Sequence, residues 1–176
     1  MAFALNTARL RLREFSADDA PYLLRQLNEP SFIAHIADRG VRTLAQAEAY
    51  LQAGPLASYR QHGFGFWAVI GKDSGEVFGM CGLVKRDTLP EPDLGYAFLP
   101  EYTGHGYAFE AATAALRAAR ERYGLPGLLA IVNPGNTASR RLLEKLGFGF
   151  HGMTTLAPGE PELCLYRIDL TEHTAC

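Results

Sequence analysis

"LPEYTGHGYAFEA", residues 99–111, leaves a strand-like run at Pro100, crowds turn formers around Gly104 and Gly106, and slides into a helix. A helix start leaves about four backbone N–H groups without intrahelical partners, and its dipole favours an anion there. Glycines at such a mouth remove the Cβ atoms that would hold a phosphate away, and they admit dihedrals other residues avoid. Two readings are open: an ordinary tight turn, or a cradle for a phosphate group. The rest of the chain has to decide between them.

Before this stretch, "PDLGYAFLP" reads as a strand bracketed by prolines. After it, "YAFEAATAALRAARERYG" is a strong helix, alanine-rich from Ala108 onward and ended by Gly124. "GLLAIVN" is too brief for a helix and reads as a buried central strand, which completes one βαβ unit. Towards the N-terminus, "RLRLREF" (9–15) alternates by twos as a first strand. Ser16 stands as a cap before the helical "ADDAPYLLRQL", and Thr43 and Gly54 bracket a second helix, "LAQAEAYLQA". "GFGFWAVIG" and "GEVFGMCGLVK" are strands joined by a "KDSG" turn. Beyond the βαβ unit, Asn136 caps and Gly147 ends the helix "TASRRLLEKL", and two antiparallel strands follow, "FGFHGMTTL" and "PELCLYRIDL". The pattern is α/β (α+β): a mixed, mostly antiparallel sheet of about seven strands with about four helices, in a single domain over residues 1–176.

Composition removes several classes of function. Seventeen basic against nineteen acidic side chains give a formal charge of -2 with no polybasic run, so a nucleic-acid surface is not expected. No apolar stretch approaches the roughly 20 residues needed to span a bilayer, and the start "MAFALNTARLRLREF" has no sustained apolar core of a leader. The three cysteines have no paired metal spacing. Cys81 and Cys164 lie in apolar strand-like runs as buried thiols, and Cys176 is the last residue, so a reducing cytoplasm fits and no metal site is expected. There is no G-x-x-x-x-G-K-[ST], and "GHGYAF" lacks the third glycine of a dinucleotide fingerprint.

"LGYAFLPEYTGHGYAFEA" followed by "NPGNTASRRLLEKLGF" resembles the GNAT N-acetyltransferase superfamily, in its ribosomal-protein-alanine acetyltransferase-like (RimJ/RimL-type) branch. "RLRLREFSADDA" and "FGFWAVIGKDSGEVFGMCGL" extend the resemblance over nearly the whole chain. It implies the acyl-CoA N-acyltransferase fold, acetyl-CoA as cofactor with coenzyme A as product, and a primary amine as acceptor. Protein N-terminal alanine stands first among named acceptors. A small amine is the alternative, as is a CoA-binding module without transfer. Monomer and homodimer are both open.

The same resemblance assigns roles. Glu101 to Gly106 matches the pyrophosphate loop, which usually begins with Gln or Arg, so Glu101 is a departure. The backbone amides of Tyr102, Thr103, Gly104, His105, Gly106 and Tyr107 would hold the pyrophosphate. Backbone groups of Ala97, Phe98 and Leu99 would pair with the pantetheine arm where two strands splay, and the Phe98 amide would stabilise charge on the thioester oxygen. Asn136 and Ser139 fill an Asn-x-x-Ser pattern, with Asn136 also a helix cap and Ser139 an acid for the departing sulfur. Many relatives carry a tyrosine where this chain has Leu143, which cannot donate a proton, so Ser139 or water takes that role. Arg140 and Arg141 reach the adenosine 3′-phosphate or are simply solvated, and Lys145 reads as surface charge. Asp93, with Glu91 beside it, is the candidate base. His105 reads as a phosphate contact, while His35 and His62 fall in regions that line or cover the acceptor groove in relatives. In the aromatic middle strands, alternation sets Phe64 and Phe66 on one face and Trp67 on the other. Phe64, Trp67 and Tyr96 are the candidates to line the acceptor site.

Overall fold

The alternation of Leu10 to Glu14 and the β-branched and aromatic run from Phe66 to Gly71 build the first half of one twisted sheet. The structure is a computed structural model and describes residues 3–171. Among the described residues there are eight strands: β1 (Ala4–Asn6), β2 (Leu10–Glu14), β3 (Phe66–Gly71), β4 (Val77–Val84), β5 (Asp93–Phe98), β6 (Gly127–Val132), β7 (Gly149–Thr154) and β8 (Leu163–Asp169). Their order is β1-β2-β3-β4-β5-β6-β8-β7, and every pair is antiparallel except β5–β6. The strand beyond the expected seven is β1, whose three residues pair with β2 and are too few to display alternation.

The helices are α1 (Ala20–Gln26), α2 (Pro30–His35), α3 (Leu44–Ala53), α4 (Pro55–His62), α5 (Tyr107–Glu121) and α6 (Thr137–Leu146). Two were not expected, α2 and α4, and both are short and start on a proline. Proline fits the first helical turn because its missing N–H would have had no partner there and its φ is already helical. Gly54 therefore does end α3, as read, but it also caps the helix that Pro55 opens. Thr43 accepts a hydrogen bond from the Gln46 N–H, as a cap should.

The helices divide between the two faces of the sheet. Trp67, Val69, Cys81, Leu83, Leu94 and Phe98 point to the face covered by α5 and α6. There Ala111, Ala112, Ala115 and Ala119 are fully buried, so α5 lies close on the strands. Ala68, Met80 and Ala97 point to the other face, under Leu23, Leu27, Phe32, Ala47 and Leu51 of the α1–α3 layer. At the tightest point, a Cβ on Gly82 would sit 2.0 Å from the Gly65 carbonyl oxygen, so only glycine fits.

One seam in the sheet is open. β5 and β6 pair only at Asp93–Leu129, where the Leu129 N–H donates to the Pro92 carbonyl at 3.0 Å. From there towards Phe98 and Val132 no further ladder forms among the described residues, and the strands part. Cys81 and Cys164 are buried free thiols, and Cys176 lies outside the described residues. Among the described residues no helix is long and apolar enough to cross a membrane.

Candidate active site

The parity of β5 decides which backbone groups face the open seam. Leu99 N–H donates to the Phe78 carbonyl at 3.0 Å and the Leu99 carbonyl accepts from the Tyr102 N–H at 3.0 Å, while Ala97 and Gly95 spend their polar groups on β4. The alternate residues, Tyr96 and Phe98, turn their N–H groups into the gap. The expected trio thus divides. Phe98 faces the seam, whereas Ala97 and Leu99 are committed to the ladder and cannot pair with anything lying in it. On the other side, Leu128, Ala130 and Val132 bond β8, which leaves Ile131 facing the gap. A groove of about 640 Å³ runs through this opening and joins the two faces of the sheet.

At one end of the groove lies the glycine-rich bend. A single 3-10 turn over Pro100–Tyr102 leads to Gly104 and Gly106, both left-handed at φ +78° and +80°. Gly106 is the N-cap of α5, and among the described residues nothing lies within 4 Å of where a Gly104 Cβ would stand. The bend therefore presents bare amides at the positive end of a fifteen-residue helix. Tyr102, Thr103, Gly104, Gly106 and Tyr107 line the groove. His105 does not line it, and its carbonyl accepts from Arg9 at 3.0 Å. Glu101, the departure in the loop, is gripped by the Arg25 guanidinium at 2.7 Å, which holds its carboxyl below the usual range.

On the α6 side, Asn136 Oδ1 accepts from the Ser139 N–H at 3.3 Å, so Asn136 is a working helix cap. Ser139 Oγ lies 2.7 Å from the Tyr96 hydroxyl, which reaches across from β5. Burial pushes the Tyr96 phenol up to about 12, outweighing the opposite pull of its hydrogen bond to Ser139. Tyr96 is thus neutral at any physiological pH. It was expected on the acceptor side; strand alternation puts it on the α5–α6 face instead. Arg140 is spent on the Tyr166 hydroxyl (3.1 Å) and the Pro134 carbonyl (3.3 Å), and Arg141 points to solvent; neither lines the groove. Lys145, read as surface charge, does line it, with its ammonium 4.3 Å from the centre of the Phe109 ring. Leu143 is buried beneath.

On the opposite face, Asp93 is 1% exposed and accepts from Arg86 Nε at 3.0 Å. Burial pushes its carboxyl up from the usual range, against the pull of the Arg86 charge. Phe32, Tyr50, Phe66 and Met80 form the apolar wall of this half. Phe64 and Trp67 do not reach it. Phe64 precedes β3, so the alternation assumed for it does not apply, and it packs edge-on against Tyr123 at 5.4 Å. Trp67 is fully buried and stacks on Phe3 at 4.4 Å. Phe66 is the aromatic of the run that lines the groove. Glu91 is tied to Arg167 at 2.8 Å, and His62 stacks on Phe64 away from the site, whereas His35 lines it.

Among the lining residues that sequence reading missed, two make polar contacts at the seam, Gln26 and Arg86. Gln26 is 1% exposed; its amide donates to the Phe98 carbonyl at 3.4 Å and accepts from the Tyr22 hydroxyl at 2.8 Å. Its signal was a lone amide on the apolar stripe of Leu23 and Leu27, a costly placement without partners. Arg86, in a polar connection, gave no such signal. No cluster of metal-ligating side chains occurs among the described residues.

The model of the acetyltransferase (GNAT) domain family matches residues 9–149. The Bacillus subtilis protein YkkB is 30% identical over 166 residues, covering 93% of this chain and 94% of that protein. A solved acetyltransferase from Agrobacterium tumefaciens is 28% identical and superposes with a TM-score of 0.78, covering 96% of this chain and 95% of that one. A ribosomal α-N-protein acetyltransferase, RimL, solved in complex with coenzyme A, is similar in fold at 15% identity, with a TM-score of 0.80 over 95% of this chain and 98% of that one.

Proposed function

The chain belongs to the GNAT acetyltransferase family and is an acetyl-CoA-dependent acyltransferase; we propose that it acetylates a primary α-amine entering the seam from the α1–α4 face. The observation that carries this reading is the open β5–β6 seam, with Tyr96 and Phe98 amides that have no partner among the described residues and a bare helix mouth at its end. Acetyl-CoA supplies a thioester whose carbonyl carbon an amine can attack. The loop from Tyr102 to Tyr107 fits a pyrophosphate, since a Cβ at Gly104 would fill the space the phosphates need.

The chain's own groups then divide the work. The Tyr96 N–H would hold the arm, and the Phe98 N–H would donate to the thioester oxygen on which charge develops. Gln26 donates to the Phe98 carbonyl and so fixes the Phe98–Leu99 peptide, the one next to the peptide that carries the Phe98 N–H. Asp93 takes the proton the amine must lose, a task suited to a carboxylate whose affinity for protons burial has increased. Ser139 gives a proton to the departing sulfur. Asn136 holds Ser139 at the helix start, and Lys145 is the α6 cation placed to meet phosphate.

An α-amine of pKa about 8 is a better acceptor than a lysine side chain near 10.4, because far more of it is neutral at pH 7. Among α-amines, the N-terminal alanine of a protein is supported only by the resemblance of the sequence motifs to the ribosomal-protein-alanine acetyltransferase-like branch, and fold alone does not fix a substrate. Thiol release from acetyl-CoA over a panel of N-terminal peptides, their N-blocked lysine-containing controls, free amino acids and polyamines tests the reading. Turnover should require a free α-amine. Transfer confined to the blocked lysine peptides or to polyamines would refute it.

A further inference from the structure

The acceptor half of the groove carries unbalanced charge. Asp93 is the one acid among the described lining residues, and Arg86 already neutralises it. Arg39 and His35 line the same groove, from the end of α2 and the segment behind it. Arg39 has no hydrogen-bond or ion-pair partner among the described residues; the acid beside it, Asp38, is held by Arg42 at 2.6 Å. Arg86 bonds Asp93 through Nε, which leaves its two terminal nitrogens unengaged among the described residues. Phe32, Tyr50, Phe66 and Met80 line the same groove and give it an apolar wall.

Resting on the acetyltransferase reading above, we propose that the acceptor is a small amine with an apolar body and an anionic group, and that Arg39 and Arg86 receive the anion. Three physical points converge on this. A guanidinium with free nitrogens is the side chain best shaped to hold a carboxylate or phosphoryl oxygens in a forked pair of hydrogen bonds. A polyamine would bring several positive charges to a site that offers no free carboxylate. Nearby cations also lower the proton affinity of an amine, so the groups that hold the anion also keep the nucleophile neutral.

The test uses the whole protein with a matched series: phenylalanine, its carboxamide and 2-phenylethylamine, with spermidine and a neutral alanine-headed tripeptide alongside. Thiol release is followed at saturating acetyl-CoA. The carboxamide has the more readily deprotonated amine, so chemistry alone would rank it above the acid. The expected result is the reverse, with kcat/KM for the carboxylate at least about 10-fold higher. Arg39→Ala should bring the acid down to the carboxamide's level, and Arg39→Lys should restore part of the gap, with KM for acetyl-CoA unchanged in both. Added salt should narrow the difference by screening an exposed cation. Equal rates across the series, preference for spermidine or the tripeptide, or an Arg39→Ala enzyme that keeps its preference would each overturn the inference while leaving the acetyltransferase intact. Silence towards every amine would overturn the α-amine assignment along with it.

Discussion

Ser139 and Tyr96 offer the sharpest test of the proton path to sulfur. Their hydroxyls are 2.7 Å apart, and a phenol pushed up to about 12 stays protonated throughout the working range. Either hydroxyl of this pair can donate; in the arrangement where Tyr96 donates to Ser139 Oγ, the serine's own hydrogen is left to point towards the groove. Tyr96 is then a positioning residue, acting through Ser139. A general acid contributes about 10²- to 10⁴-fold, and a thiolate leaves well, so the lower bound applies: Ser139→Ala should reduce kcat about 100-fold. One hydrogen bond is worth about 0.5–1.5 kcal/mol, so Tyr96→Phe should cost up to about 10-fold. The double variant should be no slower than Ser139→Ala, because removing Ser139 removes what Tyr96 acts through. Steady-state thiol release at saturating substrates gives the rates, and calorimetry with acetyl-CoA should show affinities within about 3-fold of the parent for all three. Losses that multiply to about 1000-fold in the double variant would refute the series arrangement. Normal turnover by Ser139→Ala would assign the proton to water.

Gly104→Val places a branched side chain at φ +78° in the open mouth of α5; acetyl-CoA affinity should fall at least about 10-fold, or 1.4 kcal/mol, by calorimetry on folded protein, and unchanged affinity would remove the pyrophosphate from this loop. Gly82→Ala drives a methyl to 2.0 Å from the Gly65 carbonyl oxygen, with backbone on that side unable to yield. At about 1–3 kcal/mol for such overpacking and about 2–4 °C per kcal/mol, thermal denaturation should drop by several degrees; an unchanged midpoint would contradict the β3–β4 packing. Asp93→Asn should lower kcat/KM about 100-fold and abolish the acid limb of kcat measured at saturating amine. Because burial raises the Asp93 carboxyl, that limb in the parent enzyme should lie above the ordinary carboxylate range, with activity lost as pH falls through it. An intact limb in the variant would point to another base.

What could be read from the sequence was what neighbours in the chain decide. The caps at Thr43 and Asn136, the stop at Gly147 and the glycine bend before α5 are local, and all stand in the structure as read. β1 and α2 were missed because three and six residues are too few for periodicity to show. The errors in the site have one common cause. Phe64 was assigned a face by extending an alternation past the start of β3, and Ala97 and Leu99 were treated alike with Phe98 although a strand turns alternate amides opposite ways. Tyr96 went to the wrong face for the same reason: alternation along β5 turns it to the α5–α6 side, where it meets Ser139, 43 residues away.

Glu101 makes the same point from the other direction. In the sequence it is a loss, an acid where a loop for phosphates usually starts with Gln or Arg. In the fold it grips Arg25, 76 residues earlier in the chain, and Arg25 also meets Glu29 at 3.3 Å. All three are at least partly exposed, so the ion pairs add little stability. Their consequence is positional. Gln26, the next residue of α1, bonds the Phe98 carbonyl, so consecutive side chains tie one helix of the acceptor face to the phosphate loop and to the strand edge in the seam. A displacement of α1 by an incoming acceptor would therefore be felt at the loop and at the Phe98 peptide together. An acid at the loop's first position thus need not weaken the site: it exchanges a direct side-chain contact for a brace.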